Sequence, residues 1–483
     1  VNAPLRKVAI SVLVLFTLLI LNANYIQVVR SSELRDNPRN TRILAEEYDR
    51  ERGSIVVDGN LVAESVETDD TLTYLRQYPQ SELYSTVTGA YSLVYGNTGL
   101  ERAENEILSG SDARLTFRRL ADLFTGRDPA GGNIELTLDP AAQQAAVTGL
   151  DGVDGAVVAL DPQTGAVLAM VSSPGYDPAQ LSSHDPEAIR AYSASLDQLD
   201  PDPRVNTTIA ERYSPGSVFK LITSAAALED GYTPDTVVPA PQQYTLPGTS
   251  RPLNNFGGEA CSGTGEQPLI DALTISCNTA FAQLGVELGE DRIRETAESF
   301  GLDTGGFEMP LAVAESTVGD IEGDAQLAVA SIGQQNVQIT PLQGAMIAAA
   351  IANDGDLMQP YLVDQVQAPD LTVIDQTEPE VLSEAVSSDV ASQLQEMMVS
   401  VVKNGSGRRA QIDGVTVGGK TGTAQTTADG DDNQWFVGFA GPDGDPSIAV
   451  AVFVQGGQGT GGDLSAPVAQ QVMSAYLAGQ GGN

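Results

Sequence analysis

Three short stretches, far apart in the chain, make chemical sense only if the fold brings them to one point: Ser217-Val218-Phe219-Lys220, Ser276-Cys277-Asn278 and Lys420-Thr421-Gly422-Thr423. The first dictates local structure most directly. Pro215 and Gly216 punctuate a turn, and residues 218–228 hold no breaker before Asp230-Gly231, which predicts a helix starting near Ser217. Residues three apart share a helix face, so Lys220 stands one turn from Ser217 and can take its proton if burial or a second cation keeps the amine neutral. A helix start also leaves backbone N–H groups unpaired, and that of Ser217 itself is positioned to stabilise the oxyanion formed when the hydroxyl attacks a carbonyl. Ser-x-x-Lys alone recurs by chance in any long chain; the three stretches in this order are much harder to obtain by accident.

A Ser-His-Asp triad requires an imidazole, and the chain's one histidine, His184, sits in a loop of Asp, Pro and Ser. Lys220 is then the base if Ser217 is the nucleophile, with Lys420 the second cation that holds it deprotonated. One His and two Cys, with no His-x-x-x-His pair, supply few soft ligands, so neither a metal nor a cofactor is expected. With 64 acidic against 25 basic residues the formal net charge is -39, which argues against nucleic acid as a partner, since phosphate contacts need clustered Lys and Arg. A solvated acidic surface is the default account of that charge.

A chain of 483 residues with 41% hydrophobic content suits two or three domains with sizeable cores. Residues 8–21 are almost wholly apolar after Arg6 and Lys7, with a weaker apolar stretch over 25–29. This reads as one membrane-spanning anchor over residues 8–29; a cleaved signal peptide is the competing reading, against which stands Asn22-Ala23-Asn24, which lacks the small-x-small pattern. The preceding basic residues place residues 1–7 in the cytoplasm and the rest outside it. Residues 30–133 carry no cluster of nucleophile, base or metal ligands and read as a non-catalytic module for spacing or docking, closed by the breaker-rich run from Thr125 to Asn133. In residues 134–483, strands are expected over 155–160 and 166–171, joined across Asp161-Pro162-Gln163-Thr164-Gly165. A helical middle follows from Ser217 to near Ala352. Further strands are expected over 415–417, 435–439 and 448–454, and then a closing helix over 466–477. Two strands, many helices, three strands and a last helix predict the α+β class, an antiparallel sheet with helices packed against it.

The three chemical stretches together resemble the signature of the penicillin-recognising acyl-serine enzymes, the penicillin-binding proteins and serine β-lactamases. Other stretches resemble the class B penicillin-binding proteins in particular. Arg52-Gly53-Ser54-Ile55 is similar to the opening of their N-terminal pedestal, and Gly99-Leu100-Glu101, Asn105 and Leu108-Ser109-Gly110 to a later segment of it. Thr137-Leu138-Asp139, Asp161-Pro162, Thr164-Gly165 and Ser173-Pro174-Gly175-Tyr176-Asp177-Pro178 resemble the entry to their transpeptidase domain. Asn2-Ala3-Pro4-Leu5-Arg6, Leu21-Asn22-Ala23-Asn24-Tyr25 and the run from Glu46 to Gly53 are similar to actinobacterial members. The resemblance therefore covers nearly the whole chain.

What it implies is a pedestal or dimerisation domain over 30–133, then a transpeptidase domain with a five-stranded antiparallel sheet. Its implied reaction cross-links peptidoglycan: Ser217 attacks the carbonyl of a D-Ala-D-Ala stem peptide, D-Ala leaves, and an amine from a neighbouring stem resolves the acyl-enzyme. β-Lactams acylate the same serine. Ser276 relays a proton toward the leaving group and Asn278 binds the substrate's amide side chain. Lys420, Thr421, Gly422 and Thr423 form an edge strand on which substrate lies, Gly422 allowing close approach, the Thr421 and Thr423 hydroxyls binding the terminal carboxylate, and the Thr423 N–H completing the oxyanion hole. The stretch before the linker is too short for the glycosyltransferase domain of class A members. The implied partners are a polytopic membrane glycosyltransferase, division or elongation proteins, and lipid-linked glycan. A carboxypeptidase or β-lactamase, which sends water into the acyl-enzyme, and a penicillin sensor or silent scaffold are the alternatives. Cys261 and Cys277 are the only cysteines, and Cys277 stands where the family more often has another residue. Outside the cytoplasm such a pair bonds, with about 3 kcal/mol of stabilisation for a loop of about sixteen residues; two buried free thiols are the other reading.

Overall fold

The computed structural model describes residues 2–30, 48–70, 72–115, 130–307, 309–424 and 432–480. Residues 125–129 of the expected boundary run, and Glu46 and Glu47, lie outside these. At the N-terminus Asn2–Asn24 is one α-helix, continued by a π-helical turn over Tyr25–Val29. Its segment Arg6–Gln27, 22 residues long, holds an 18-residue window of mean hydropathy 2.1, none of it buried among the described residues. At 1.5 Å per residue it is about 33 Å long, enough to cross the hydrocarbon of a bilayer.

A six-stranded sheet follows, in the order Val373–Gln376, Val363–Gln367, Asn133–Leu136, Ile55–Val57, Asn60–Glu67, Tyr74–Gln77. Ile55–Val57 and Asn133–Leu136 run parallel, and the other neighbours antiparallel. Two strands from far along the chain thus complete the sheet of the N-terminal module. The stretches around Arg52 and Glu101, weak signals in isolation, meet beside this sheet in a buried ion cluster. Arg52 Nε donates to Glu101 Oε2 and Arg76 Nε to Oε1, both at 2.6 Å, while Arg52 Nη1 reaches Asn105 Oδ1 at 2.8 Å. Burial pushes the Glu101 carboxyl up, but Arg76 and Arg52 together outweigh it and hold the group below the usual carboxylate range.

The second sheet is five-stranded and wholly antiparallel, in the order Thr416–Ala424, Asp432–Gly441, Ile448–Gly457, Gly155–Leu160, Val167–Ser173. It is the sheet expected for the α+β class. Both its faces are covered, which is why its strands read as continuous apolar runs. Ala156 and Val158 enter the core shared with the fully buried helix Pro341–Ala352, whereas Val157 and Ala159 enter the core under Pro140–Gly149 and Ser465–Gln480. The expected strand over 415–417 is in fact the nine-residue edge strand Thr416–Ala424. Gly418 and Gly419 look like breakers, yet they are needed because Phe439 and Phe436 lie over them, where an added Cβ would stand 2.3 Å from a ring carbon. The helix expected from Ser217 begins as a 3-10 turn, Gly216–Phe219, and continues as the α-helix Lys220–Glu229.

Candidate active site

The turn carrying Ser217 is fixed on three sides by hydrogen bonds to its main chain. Tyr213 exchanges two 2.9 Å hydrogen bonds with Ile339, Gly216 N donates to Gly333 O at 2.9 Å, and the Trp435 indole N–H donates to Ser214 O at 3.1 Å. Gly216 has φ +52 and lies against the edge strand so closely that a Cβ would stand 2.6 Å from Thr423 O; one on Gly422 would stand 2.5 Å from Pro215 O. The first and third motifs therefore touch main chain to main chain. Ser217 is partly exposed, and Lys220 opens the helix one turn on, fully buried.

The second motif lies in the break between helices Leu269–Thr274 and Asn278–Leu288, where Ser276 adopts φ +62, an uncommon conformation for a residue with a side chain. Lys220 Nζ donates to Ser276 O at 2.7 Å, Asn278 Oδ1 at 2.8 Å and Ser276 Oγ at 3.2 Å. Lys420 Nζ donates to the same Ser276 Oγ at 2.9 Å and to Thr421 O at 2.8 Å. One serine hydroxyl thus sits between two buried amines. Burial, followed by the charge of Lys420, drives the Lys220 pKa well below the ordinary lysine range, and burial brings that of Lys420 down to about 7. Burial of Lys220 and the charge of Lys420 both favour a neutral amine at Lys220.

Thr421 and Thr423 share one face of the edge strand. The Thr421 hydroxyl is 2.5 Å from Ser406 Oγ, and Thr423 Oγ1 donates to Gln434 Oε1 at 3.1 Å. Cys261 and Cys277 form a disulfide, which ties the loop after Phe256 to the second motif, so the free-thiol reading does not hold. His184 is remote from this chemistry, in the wall of the pedestal, with Nδ1 at 2.7 Å from Asp70 Oδ2 and Nε2 at 3.1 Å from Tyr74 O.

Residues 155–474 match the penicillin binding protein transpeptidase domain, and residues 52–134 match the penicillin binding protein A dimerisation domain. The chain belongs to the penicillin-binding protein family. Among its relatives is the peptidoglycan D,D-transpeptidase PbpA of Mycolicibacterium smegmatis, 46% identical over 99% of both chains. The PbpA of Mycobacterium tuberculosis is likewise 46% identical, over 99% of this chain and all of the relative. Penicillin-binding protein A of M. tuberculosis, solved as a ceftriaxone acyl-enzyme complex, superposes with a TM-score of 0.87 at 46% identity, covering 90% of this chain and 100% of that one. The class B resemblance read from the motifs holds across transpeptidase and dimerisation regions alike.

Sequence reasoning missed several residues that this penicillin-binding protein uses to build the site. Asn255 is 8% exposed; its Oδ1 accepts from Thr279 N at 3.0 Å, capping the helix that starts at Asn278, while its Nδ2 donates to Pro241 O, Gln242 O and Glu259 O. Asn278 Nδ2 reaches Asn254 O at 3.3 Å. Asn255 lies over twenty positions from the helix it caps, so no local pattern announces it. Ser406 and Gln434, the partners of the two threonines, are equally silent in the sequence.

Proposed function

We propose that the chain is a peptidoglycan D,D-transpeptidase that cross-links D-Ala-D-Ala stem peptides through an acyl-serine on Ser217, the residue that β-lactams also acylate. The observation that carries this reading is the Ser276 hydroxyl, 3.2 Å from Lys220 Nζ and 2.9 Å from Lys420 Nζ, with Ser217 one turn before Lys220. Lys220, neutral, takes the Ser217 proton as Oγ attacks the penultimate D-Ala carbonyl. The backbone N–H groups of Ser217 and Thr423 hold the oxyanion. When the tetrahedral adduct collapses, the proton passes through Ser276 to the departing D-Ala amine, with Lys420 holding the Ser276 oxygen in place. An amine of a second stem then attacks the ester, and the same route run backwards returns the proton to Ser217. Asn278 binds the amide of the donor's side chain, and Thr421, Gly422 and Thr423 line the strand on which its carboxylate end lies.

The relatives' activity and the acyl-enzyme of the M. tuberculosis protein support bringing this chemistry here. The same reading divides the chain into residues 1–7 in the cytoplasm, an anchor over 8–29, a pedestal or dimerisation domain over 30–133, and an extracytoplasmic transpeptidase domain over 134–483. Glycan polymerisation then falls to a polytopic membrane glycosyltransferase acting on lipid-linked glycan, in company with division or elongation proteins. The test is intact-protein mass spectrometry of the full chain in detergent after benzylpenicillin, followed over hours and repeated with Ser217→Ala. A lasting penicilloyl adduct that disappears in the variant is expected. Adduct on the variant removes Ser217 from the role, and rapid turnover of drug replaces the transpeptidase by a hydrolase.

A further inference from the structure

A buried indole needs an acceptor for its N–H, and the acceptor that Trp435 takes bears on the nucleophile. Trp435 is fully buried in strand Asp432–Gly441, opposite Gly422 on one side and Phe453 on the other. Its ring lies 4.8 Å from that of Phe453, which stacks at 4.0 Å on Tyr213, just ahead of the turn that carries Ser217. On the helix Pro341–Ala352 a Cβ at Gly344 would stand 3.6 Å from Trp435 Cζ3, so the ring is enclosed from that direction too. A Cβ on Gly422 would stand 3.0 Å from Trp435 Cβ and 2.5 Å from Pro215 O. The bare glycine of the third motif is therefore what lets the indole and the turn share one face of the sheet. The indole N–H ends at 3.1 Å from Ser214 O.

The backbone of the turn shows what that bond does. In a 3-10 turn each N–H donates to the carbonyl three residues back. Val218 N follows the rule, donating to Pro215 O at 3.3 Å, whereas Gly216 N leaves the turn for Gly333 O at 2.9 Å. Between them stands Ser217 N–H, whose acceptor by the same rule is Ser214 O. It does not make that bond, and it donates to no other group among the described residues. Ser214 O accepts from Trp435 instead, which aims the carbonyl at the sheet. The N–H assigned to the oxyanion thus keeps its donor capacity, and the carbonyl that would have absorbed it is satisfied from another element.

We infer that Trp435 is a positioning residue for acylation, its indole N–H holding Ser214 O away from Ser217 N–H so that the latter is free for the oxyanion. The inference rests on the transpeptidase reading above. Trp435 is the only tryptophan of the chain, so expression with a tryptophan analogue alters this side chain alone. The test introduces 3-benzothienylalanine, which has the shape of tryptophan with sulfur in place of the N–H, and 4-fluorotryptophan, which keeps the N–H. Acylation of the full chain in detergent by benzylpenicillin, followed by rapid quench and intact mass at several drug concentrations, separates the dissociation constant of the first complex from the first-order acylation constant. With the benzothienyl ring the acylation constant should fall about tenfold, a part of what one oxyanion donor contributes, while the dissociation constant is unchanged and 4-fluorotryptophan retains the native values. Trp435→Phe, which keeps a ring against Phe453 and loses the donor, should show the same split. An acylation constant that survives loss of the N–H overturns the inference. So does a parallel loss in both constants, which makes Trp435 a packing residue. If the native protein forms no adduct, the transpeptidase reading falls and takes this inference with it.

Discussion

Lys220 and Lys420 are both fully buried, and neither has a carboxylate partner among the described residues, so each ammonium form gives up its hydration without an ion pair in exchange. That is a cost to the fold which the chemistry uses. A lysine whose pKa is depressed in this way stays neutral to lower pH than an ordinary lysine, and on acidification it becomes charged and useless as a base. Acylation by benzylpenicillin should therefore be full at mildly alkaline pH and fall as pH drops through the depressed Lys220 pKa. The acid limb, measured as rate constant against pH, should lie well below the ordinary lysine range, and a limb near that range would mean that Lys220 is not the base. The chemically active side chains were legible in the sequence because the reaction demands particular residue types at fixed local spacing. Ser406 and Asn255 were not, because each acts through a partner that only the folded chain brings near.

Among the elements, the break between helices Leu269–Thr274 and Asn278–Leu288 is the least self-sufficient. Cys277 occupies the N-cap but supplies no capping hydrogen bond, and Ser276 stands at φ +62. Asn255 provides the cap from outside, and the disulfide holds the same loop. Asn255→Ala leaves the Thr279 N–H and the Gln242 and Glu259 carbonyls without this partner, while Pro241 O keeps the Thr279 hydroxyl, a loss of roughly 1–3 kcal/mol. The expected outcome is a lower urea midpoint together with slower acylation. An unchanged acylation rate would show that the loop keeps its shape without this cap. Strands over 155–160 and 448–454 were readable as apolar runs because both faces are buried. The edge strand was underestimated because the phenylalanines that require Gly418 and Gly419 come from its neighbour.

Taken whole, the molecule is less divided than its linear order suggests, since Val363–Gln367 and Val373–Gln376 return from the catalytic half to finish the pedestal sheet. No local pattern could announce that pairing. The Arg52–Glu101–Arg76 cluster lies at the heart of the same module and was visible only as two unrelated weak matches. Glu101→Gln would take from Arg52 and Arg76 the buried carboxylate they share, and should cost about 3–5 kcal/mol in a denaturation experiment. A loss under 1 kcal/mol would mean that water or relaxation reaches the cluster. At the other end of the molecule, the floor of the active site is made where Gly216 and Gly422 press backbone against backbone. A side chain added at either glycine would meet main chain, which cannot move aside as a flexible side chain does. Shape is free to vary around them, as at Ile275, 48% exposed and next to Ser276 in the chain, where a new side chain leaves the floor intact.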